Sequence, residues 1–103
     1  MAEEKKTISI LGSGAWANTL AFLLGQQNNV ILWDRNPTRL RQRLKTRRFK
    51  KPVKRKYPDN VTLTDDLKLI LKSKLVISAI SLKGMQDVFT QIRDLKPAED
   101  IVF

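Results

Sequence analysis

The chain contains no cysteine and no histidine among its 103 residues. The lack of cysteine excludes a disulfide, a thiolate metal site and a cysteine nucleophile. The lack of histidine removes the most common general base and the most common zinc ligand, so acid–base chemistry would fall to Lys, Asp, Glu or Tyr. We therefore expect no metal site in this chain.

Long apolar runs are missing as well. No run approaches the ~20 residues that a membrane-spanning helix requires. The charged N-terminus, residues 1–6, leads directly into a strand pattern and does not resemble a secretory signal. These features predict a cytoplasmic protein without a membrane span, and the length allows one domain at most.

Acidic residues are absent from one segment, which carries the whole charge bias of the chain. The formal net charge is +10, yet residues 39–56 contain eleven Lys or Arg and no Asp or Glu. Part of this segment, residues 45–58, has two prolines and no clear period, which predicts an exposed basic loop. A solvated loop is the first interpretation, a surface that steers phosphorylated ligands the second, and nucleic-acid binding the last.

A glycine motif follows the first apolar run, Thr7–Leu11. Gly12, Gly14 and Ala17 fit the dinucleotide-binding fingerprint G-x-G-x-x-A. Gly12 permits a sharp turn out of the strand, Gly14 permits close approach of a pyrophosphate, and Ala17 permits tight packing of the helix on the strand. The helix that begins here would direct free N–H groups at the phosphates.

Strand and helix patterns alternate along the chain, which predicts an α/β fold of the Rossmann type, a doubly wound parallel sheet. The expected strand order is 3-2-1-4-5, with the ligand over the carboxyl ends of strands 1 and 4, where the strand order reverses. A cap at Thr64 would begin the helix after strand 3. The predicted strands are 7–11, 30–33, 61–63, 75–80 and 101–103, and the predicted helices are 15–27, 37–44, 65–72 and 85–93.

An acidic residue ends the second strand at the position expected for a ribose ligand. Asp34 lies 22 residues after Gly12, and an acid there usually favours NAD by accepting from the ribose 2′-OH. Arg35 has the opposite tendency, because a guanidinium can pair with a 2′-phosphate. The sequence favours NAD slightly and leaves NADP open. Trp16 is interpreted as a shield of the pyrophosphate or as a core aromatic, and Trp33 as sheet core.

These motifs resemble those of NAD(P)-dependent glycerol-3-phosphate dehydrogenase. Residues 10–21, ILGSGAWANTLA, are similar to the family's G-x-G-x-W-G-T-A-L-A, in which the tryptophan is the distinguishing feature. Residues 32–35, LWDR, match its L-W-x-R, and residues 57–67 are similar to its L-P-x-N…T-x-D-L segment. Ala17 replaces the usual glycine, and Ser81-Leu82 stand where V-P-S is usual.

The resemblance implies that residues 1–103 form the NAD(P)-binding domain of an oxidoreductase of glycerophospholipid precursor metabolism. Such an enzyme transfers hydride between NAD(P)H and dihydroxyacetone phosphate to give sn-glycerol 3-phosphate, and the resemblance is compatible with a homodimer of the full-length enzyme. The family's catalytic lysines and phosphorylated-substrate pocket lie beyond Phe103, so we expect no catalytic residue here and no activity from this chain alone. The alternative is a nucleotide- or nucleic-acid-binding module without catalysis. Cofactor binding is predicted for Gly12, Ser13, Gly14, Ala15, Trp16, Ala17, Asp34, Arg35 and Ser81.

Overall fold

A four-stranded parallel sheet forms the centre of the structure, a computed structural model that describes residues 6–80, 82–95 and 97. Short β-type runs alternate with helices, as buried parallel strands and their crossovers require. The elements in chain order are β1 (Thr7–Leu11), α1 (Ala15–Leu24), β2 (Asn29–Trp33), α2 (Pro37–Thr46), β3 (Arg48–Phe49), β4 (Arg55–Lys56), β5 (Val61–Thr64), α3 (Leu67–Ile70), β6 (Leu75–Ser78) and α4 (Leu82–Asp94).

The sheet order is β5-β2-β1-β6, with all neighbours parallel. This confirms the predicted Rossmann-type order for the first four long strands. Leu11 at the end of β1 pairs with Trp33 of β2 and with Ser78 of β6, so the three strands end at one level. The loops that follow these strands therefore meet at one edge of the sheet. The predicted fifth strand, residues 101–103, lies outside the described residues.

Two apolar clusters cover the two faces of the sheet. Trp33 belongs to the second cluster and is buried, in agreement with its interpretation as sheet core. Its indole Nε1 donates to the backbone oxygen of Asp65 at 3.0 Å, which satisfies the polar edge of the ring. The first cluster comprises Ile10, Ala17, Ala21, Val30, Leu32, Leu40, Phe49, Tyr57, Val61 and Leu63. The second comprises Leu11, Trp33, Leu67, Ile70, Val76, Val88 and Ile92.

The basic segment differs from the loop that was expected over residues 45–58. Helix α2 continues to Thr46, and β3 and β4 then pair antiparallel with Phe49 opposite Arg55. Residues 48–56 are called the basic hairpin below. Phe49 and Tyr57 are buried, and their ring centroids lie 4.8 Å apart. Removing this aromatic surface from water stabilises the packing of the basic hairpin. The basic side chains themselves are mostly exposed.

Other helix boundaries also differ from the prediction: α3 covers Leu67–Ile70 rather than 65–72, and α4 begins at Leu82 rather than at residue 85. Helix α1 ends at Leu24 rather than near Gln27. The C-cap residue is Gly25, whose backbone N–H donates to the backbone oxygen of Ala21. The predicted cap at Thr64 is wrong: Asp66 caps α3, accepting from the N–H of Lys68 at 2.9 Å. Thr64 remains in β5 because its backbone oxygen accepts from Asp34 across the sheet edge.

No helix within the described ranges is long and apolar enough to cross a membrane.

Candidate functional site

The loop between β1 and α1, residues 12–14, depends on two glycines for different reasons, and is called the glycine loop below. Gly12 has a φ of 120°, a conformation that side chains rarely adopt, and a Cβ there would lie 2.7 Å from the backbone oxygen of Ala79. Its N–H donates to the oxygen of Trp33 at 3.0 Å. Gly12 therefore allows the loop to pass closely over the ends of β2 and β6.

Gly14 faces open space at the N-terminus of α1. A Cβ at this position would have no heavy atom within 4 Å. Gly14 is the N-cap residue, and no side chain caps the helix or places an acid in its first turn. The first N–H groups of α1 and the positive end of its dipole are thus available to an anion. A pyrophosphate fits this arrangement, because a phosphate oxygen can use the space that a side chain would fill.

The remaining motif residues lie in the first turn of α1. Ala17 is fully buried in the first apolar cluster, as tight packing of helix on sheet requires. Ala15 and Trp16 are exposed, and 65% of the Trp16 side chain is accessible to solvent. Trp16 is therefore no core aromatic in this chain, and its predicted role beside the pyrophosphate stays a prediction.

Asp34 is buried at the end of β2 and is surrounded by donors. Its Oδ2 accepts from Nε of Arg39 at 2.8 Å, and its Oδ1 accepts from Nη2 of the same guanidinium at 2.9 Å. The N–H of Asn36 donates to Oδ1 at 2.9 Å, and Nη1 of Arg43 lies 3.6 Å from Oδ2. The carboxylate thus makes a bidentate pair with Arg39 and a longer contact with Arg43. Its predicted contact with a ribose stays a prediction.

The protonation of this pair follows from its contacts. Burial raises the pKa of the Asp34 carboxyl, but the hydrogen bonds from Arg39 and the Asn36 backbone, the charge of Arg39 and a contact with Ser13 outweigh it. The pKa of Asp34 therefore lies below its ordinary value. The hydrogen bond to Asp34 raises the pKa of Arg39 above its ordinary value, against the effect of burial. Both groups are charged at neutral pH.

Arg43 joins α2 to the glycine loop. Its Nη1 donates to the backbone oxygen of Ser13 at 2.9 Å, and only 13% of its side chain is exposed. Arg39 and Arg43 are four residues apart and lie on one face of α2. Sequence reasoning missed both residues as site candidates, although this helical spacing within the basic segment was a signal for them.

Arg35 lies on the opposite side of the site, towards α4. A Cβ on Gly84 would lie 3.2 Å from Nη2 of Arg35, so the guanidinium approaches the first turn of α4 closely. The structure thus brings Arg35 to the first turn of α4, while Arg39 and Arg43 lie beside the glycine loop. Ser81, the remaining predicted site residue, lies outside the described residues.

A cavity of about 550 Å³ opens between the glycine loop, α2 and the basic hairpin. No carboxylate among the described residues lines it. We call it the basic cavity, since seven of its lining residues are Arg or Lys. It is lined by Ser13, Gly14, Ala15, Asn18, Gln42, Thr46 and Phe49, together with the basic residues Arg39, Arg43, Arg48, Lys50, Lys51, Lys54 and Arg55.

A family model described as the N-terminus of NAD-dependent glycerol-3-phosphate dehydrogenase matches residues 7–103. The chain belongs to this family. The resemblance drawn from the tryptophan-containing glycine motif is thereby confirmed. Members of the family similar to this chain include glycerol-3-phosphate dehydrogenase [NAD(P)+] of the Wolbachia of Brugia malayi, 33% identical over 95 residues and 92% of this chain. The Nostoc protein of the same name is 30% identical over 102 residues, or 97% of this chain.

A solved structure shares the fold of this family member. The crystal structure of glycerol-3-phosphate dehydrogenase from Coxiella burnetii superposes with a TM-score of 0.75 at 22% identity, covering 92% of this chain and 30% of that one. The chain spans 29% of the Wolbachia protein and 25% of the Nostoc protein. The likeness therefore concerns less than a third of each of these enzymes.

No cluster of three or more His, Cys, Asp or Glu side chains suited to a metal ion occurs in the part of the chain that the structure describes. For this member of the glycerol-3-phosphate dehydrogenase family, the residues gathered at the sheet edge are instead suited to anions. The glycine loop offers backbone N–H groups, and the basic cavity offers guanidinium and ammonium groups.

Proposed function

We propose that this chain is the cofactor-binding domain, residues 1–103, of a glycerol-3-phosphate dehydrogenase, and that it binds NAD or NADP at the glycine loop. The observation that carries the proposal is Gly14: it stands at the uncapped N-terminus of α1, and its Cβ position opens on empty space. The family match over residues 7–103 supports the same role. When bound, the nicotinamide would supply the hydride chemistry of the whole enzyme.

The residues of this chain would hold and orient the cofactor. Backbone N–H groups of Gly14, Ala15 and Trp16 would bind the pyrophosphate. Gly12 would keep the glycine loop close to the ends of the strands. The Trp16 side chain, exposed beside this turn, would cover one side of the bound phosphates. By the family resemblance, proton transfer and binding of dihydroxyacetone phosphate belong to residues beyond this chain. The whole enzyme is proposed to act in the cytoplasm as a homodimer.

The proposal is tested by titrating NADH and NADPH into the purified chain and measuring the quenching of tryptophan fluorescence. We expect saturable binding by the chain. Gly14→Val should abolish binding while leaving the unfolding midpoint nearly unchanged, because a Cβ added at this position has no protein atom within 4 Å. Thr19→Val exchanges a hydroxyl for a methyl group about one turn further along α1 and serves as the control, which should bind normally. Tight binding by a folded Gly14→Val variant would contradict the proposal.

A titration with duplex DNA tests the alternative function. A nucleic-acid-binding module would bind duplex DNA with an affinity that falls steeply with salt and does not respond to NADH. We expect the chain to add no oxidation of NADH to that seen with dihydroxyacetone phosphate alone. Saturable oxidation by the purified chain would show that residues 1–103 contain catalytic groups.

A further inference from the structure

We propose that the basic cavity binds the 2′-phosphate of NADPH, and that Asp34 positions Arg39 and Arg43 for this phosphate instead of selecting NAD. The inference rests on the proposed function and specifies the cofactor that the site takes. It reverses the usual interpretation of an acidic residue at the end of the second strand, which accepts a hydrogen bond from an unphosphorylated ribose.

The first observation is that the Asp34 carboxylate is already used within the protein. Its side chain has no exposed surface, and it accepts two hydrogen bonds from Arg39 and one from the backbone of Asn36. Nη1 of Arg43 lies 3.6 Å away. Two guanidinium groups therefore face one carboxylate, and this cluster carries a net positive charge. A phosphate near it would be attracted where an unpaired carboxylate would repel it.

The second observation is that the two arginines, both of which line the cavity, retain N–H donors without a partner among the described residues. The Nη1 group of Arg39 has no hydrogen-bond partner within the described chain, and 46% of the side chain is exposed. Arg43 uses Nη1 for the oxygen of Ser13, which leaves its Nε and Nη2 without a described partner. A guanidinium has five N–H donors in a fixed plane, so a pair with a carboxylate leaves donors for a phosphate.

The third observation is the position of the cavity. It is lined by Ser13, Gly14 and Ala15, the same turn at which the pyrophosphate is proposed to bind. Its volume of about 550 Å³ lies within the usual range for small-molecule sites, roughly 300–1,000 Å³. A phosphate monoester carries about −1.5 to −2 charges at neutral pH, as in phosphorylated side chains. The cations of the basic hairpin, paired with no described carboxylate, would balance this charge.

The direction in which Asp34→Asn changes the affinity for NADPH distinguishes this inference from the usual interpretation. If Asp34 repelled the 2′-phosphate, Asp34→Asn would strengthen NADPH binding. If Asp34 positions Arg39 and Arg43, the same change would weaken it, because the amide cannot hold the guanidinium fork by charge. Arg39→Gln should also weaken NADPH binding and leave NADH binding unchanged.

The experiment measures the dissociation constants of NADH and NADPH for the chain, Arg39→Gln, Asp34→Asn and the control Arg41→Gln. Arg41 is exposed on the same helix and does not line the cavity, so its loss removes an equal charge. We expect NADPH to bind the chain about tenfold more tightly than NADH or better. Arg39→Gln and Asp34→Asn should bring the two constants close to equality, and Arg41→Gln should not. If Asp34→Asn fails to fold, Arg39→Gln and Arg39→Lys carry the test, with Lys intermediate.

Competition identifies the ligand chemistry. Adenosine 2′,5′-bisphosphate should displace NADPH at concentrations where adenosine 5′-diphosphate and inorganic phosphate do not. Equal binding of NADH and NADPH, or stronger NADPH binding by Asp34→Asn, would overturn the inference while leaving the proposed function intact. Equal competition by inorganic phosphate would also overturn it. Failure of both dinucleotides to bind would instead refute the proposed function, and this inference with it.

Discussion

The Oη of Tyr57 donates a hydrogen bond of 2.7 Å to Oδ1 of Asn18, and both side chains are buried. Asn18 completes the link by donating from Nδ2 to the backbone oxygen of Lys51 at 3.0 Å. Two contacts thus attach the basic hairpin and the segment after it to the first turns of α1, next to the glycine loop. The hairpin is held beside the candidate site by one buried and one partly buried hydrogen bond and by aromatic packing of Phe49 on Tyr57.

Replacing Tyr57 with Phe should destabilise the chain at neutral pH. The substitution keeps the ring but leaves Oδ1 of buried Asn18 without its donor, at a cost of roughly 1–3 kcal/mol. Urea unfolding followed by tryptophan fluorescence measures the change. The control is Phe89→Tyr, which alters a half-buried ring on α4. Phe49→Tyr is not suitable because it adds a hydroxyl to the core. An unfolding free energy unchanged by Tyr57→Phe would show that the hydrogen bond contributes nothing.

Alkaline pH should weaken the fold through the same side chain. Burial raises the pKa of Tyr57 from 10.0 to about 12. The unfolded chain then loses its phenolic proton before the folded chain does, so this contribution is complete below the unfolded pKa and is lost as pH rises through the folded pKa. Tyr57 is the single tyrosine, and tyrosinate absorbance reports it alone. A midpoint of the tyrosinate titration near 10.0 in the folded chain would contradict this prediction.

Acid should weaken the fold through Asp34. Because the folded pKa of this carboxyl lies below its ordinary value of 3.8, the unfolded chain takes up the proton first as pH falls. The contribution is therefore present above the ordinary value and disappears as pH falls through the folded pKa. Asp34→Asn should flatten this part of the stability curve, and Asp87→Asn, on the exposed surface of α4, should not. If the free energy of unfolding fell equally with decreasing pH for the chain and for Asp34→Asn, the prediction would be contradicted.

The two glycines of the loop should respond differently to alanine. Gly12→Ala forces a side chain into a φ of 120° and against the oxygen of Ala79, which should destabilise by roughly 2 kcal/mol or more. Gly14→Ala has free space and an extended backbone, so its effect on stability should be small. Chemical unfolding of the pair measures the difference. Equal stability of the two variants would show that the loop is not held close to β6.

The sheet and the glycine loop could be predicted from the sequence because their signals are contiguous. A run such as Thr7–Leu11 followed at once by Gly12 and Gly14 reports a strand, a turn and a helix start in one stretch. The fingerprint spacing also identified Asp34 as a residue of interest.

The basic hairpin and the partners of Asp34 could not be predicted in the same way. Phe49 and Tyr57 are surrounded in sequence by Lys and Arg, and their burial depends on Asn18 and Phe22 from a distant helix. Arg39 meets Asp34 only because Asn36 caps α2, accepting from the N–H of Arg39 at 3.0 Å, and thereby turns the first helical residues back towards the strand end. Neither of these contacts can be predicted from the local periodicity of the sequence.

The most direct test of the central claim is to record backbone amide resonances of the chain by heteronuclear NMR during titration with NADPH. We predict that the amide resonances of Gly14, Ala15 and Trp16 shift most strongly and saturate together, because the pyrophosphate accepts from the first turn of α1. Gly14→Val should remove these shifts. Saturable binding that leaves these amides unchanged, with shifts confined to other elements, would contradict the claim that the glycine loop holds the dinucleotide.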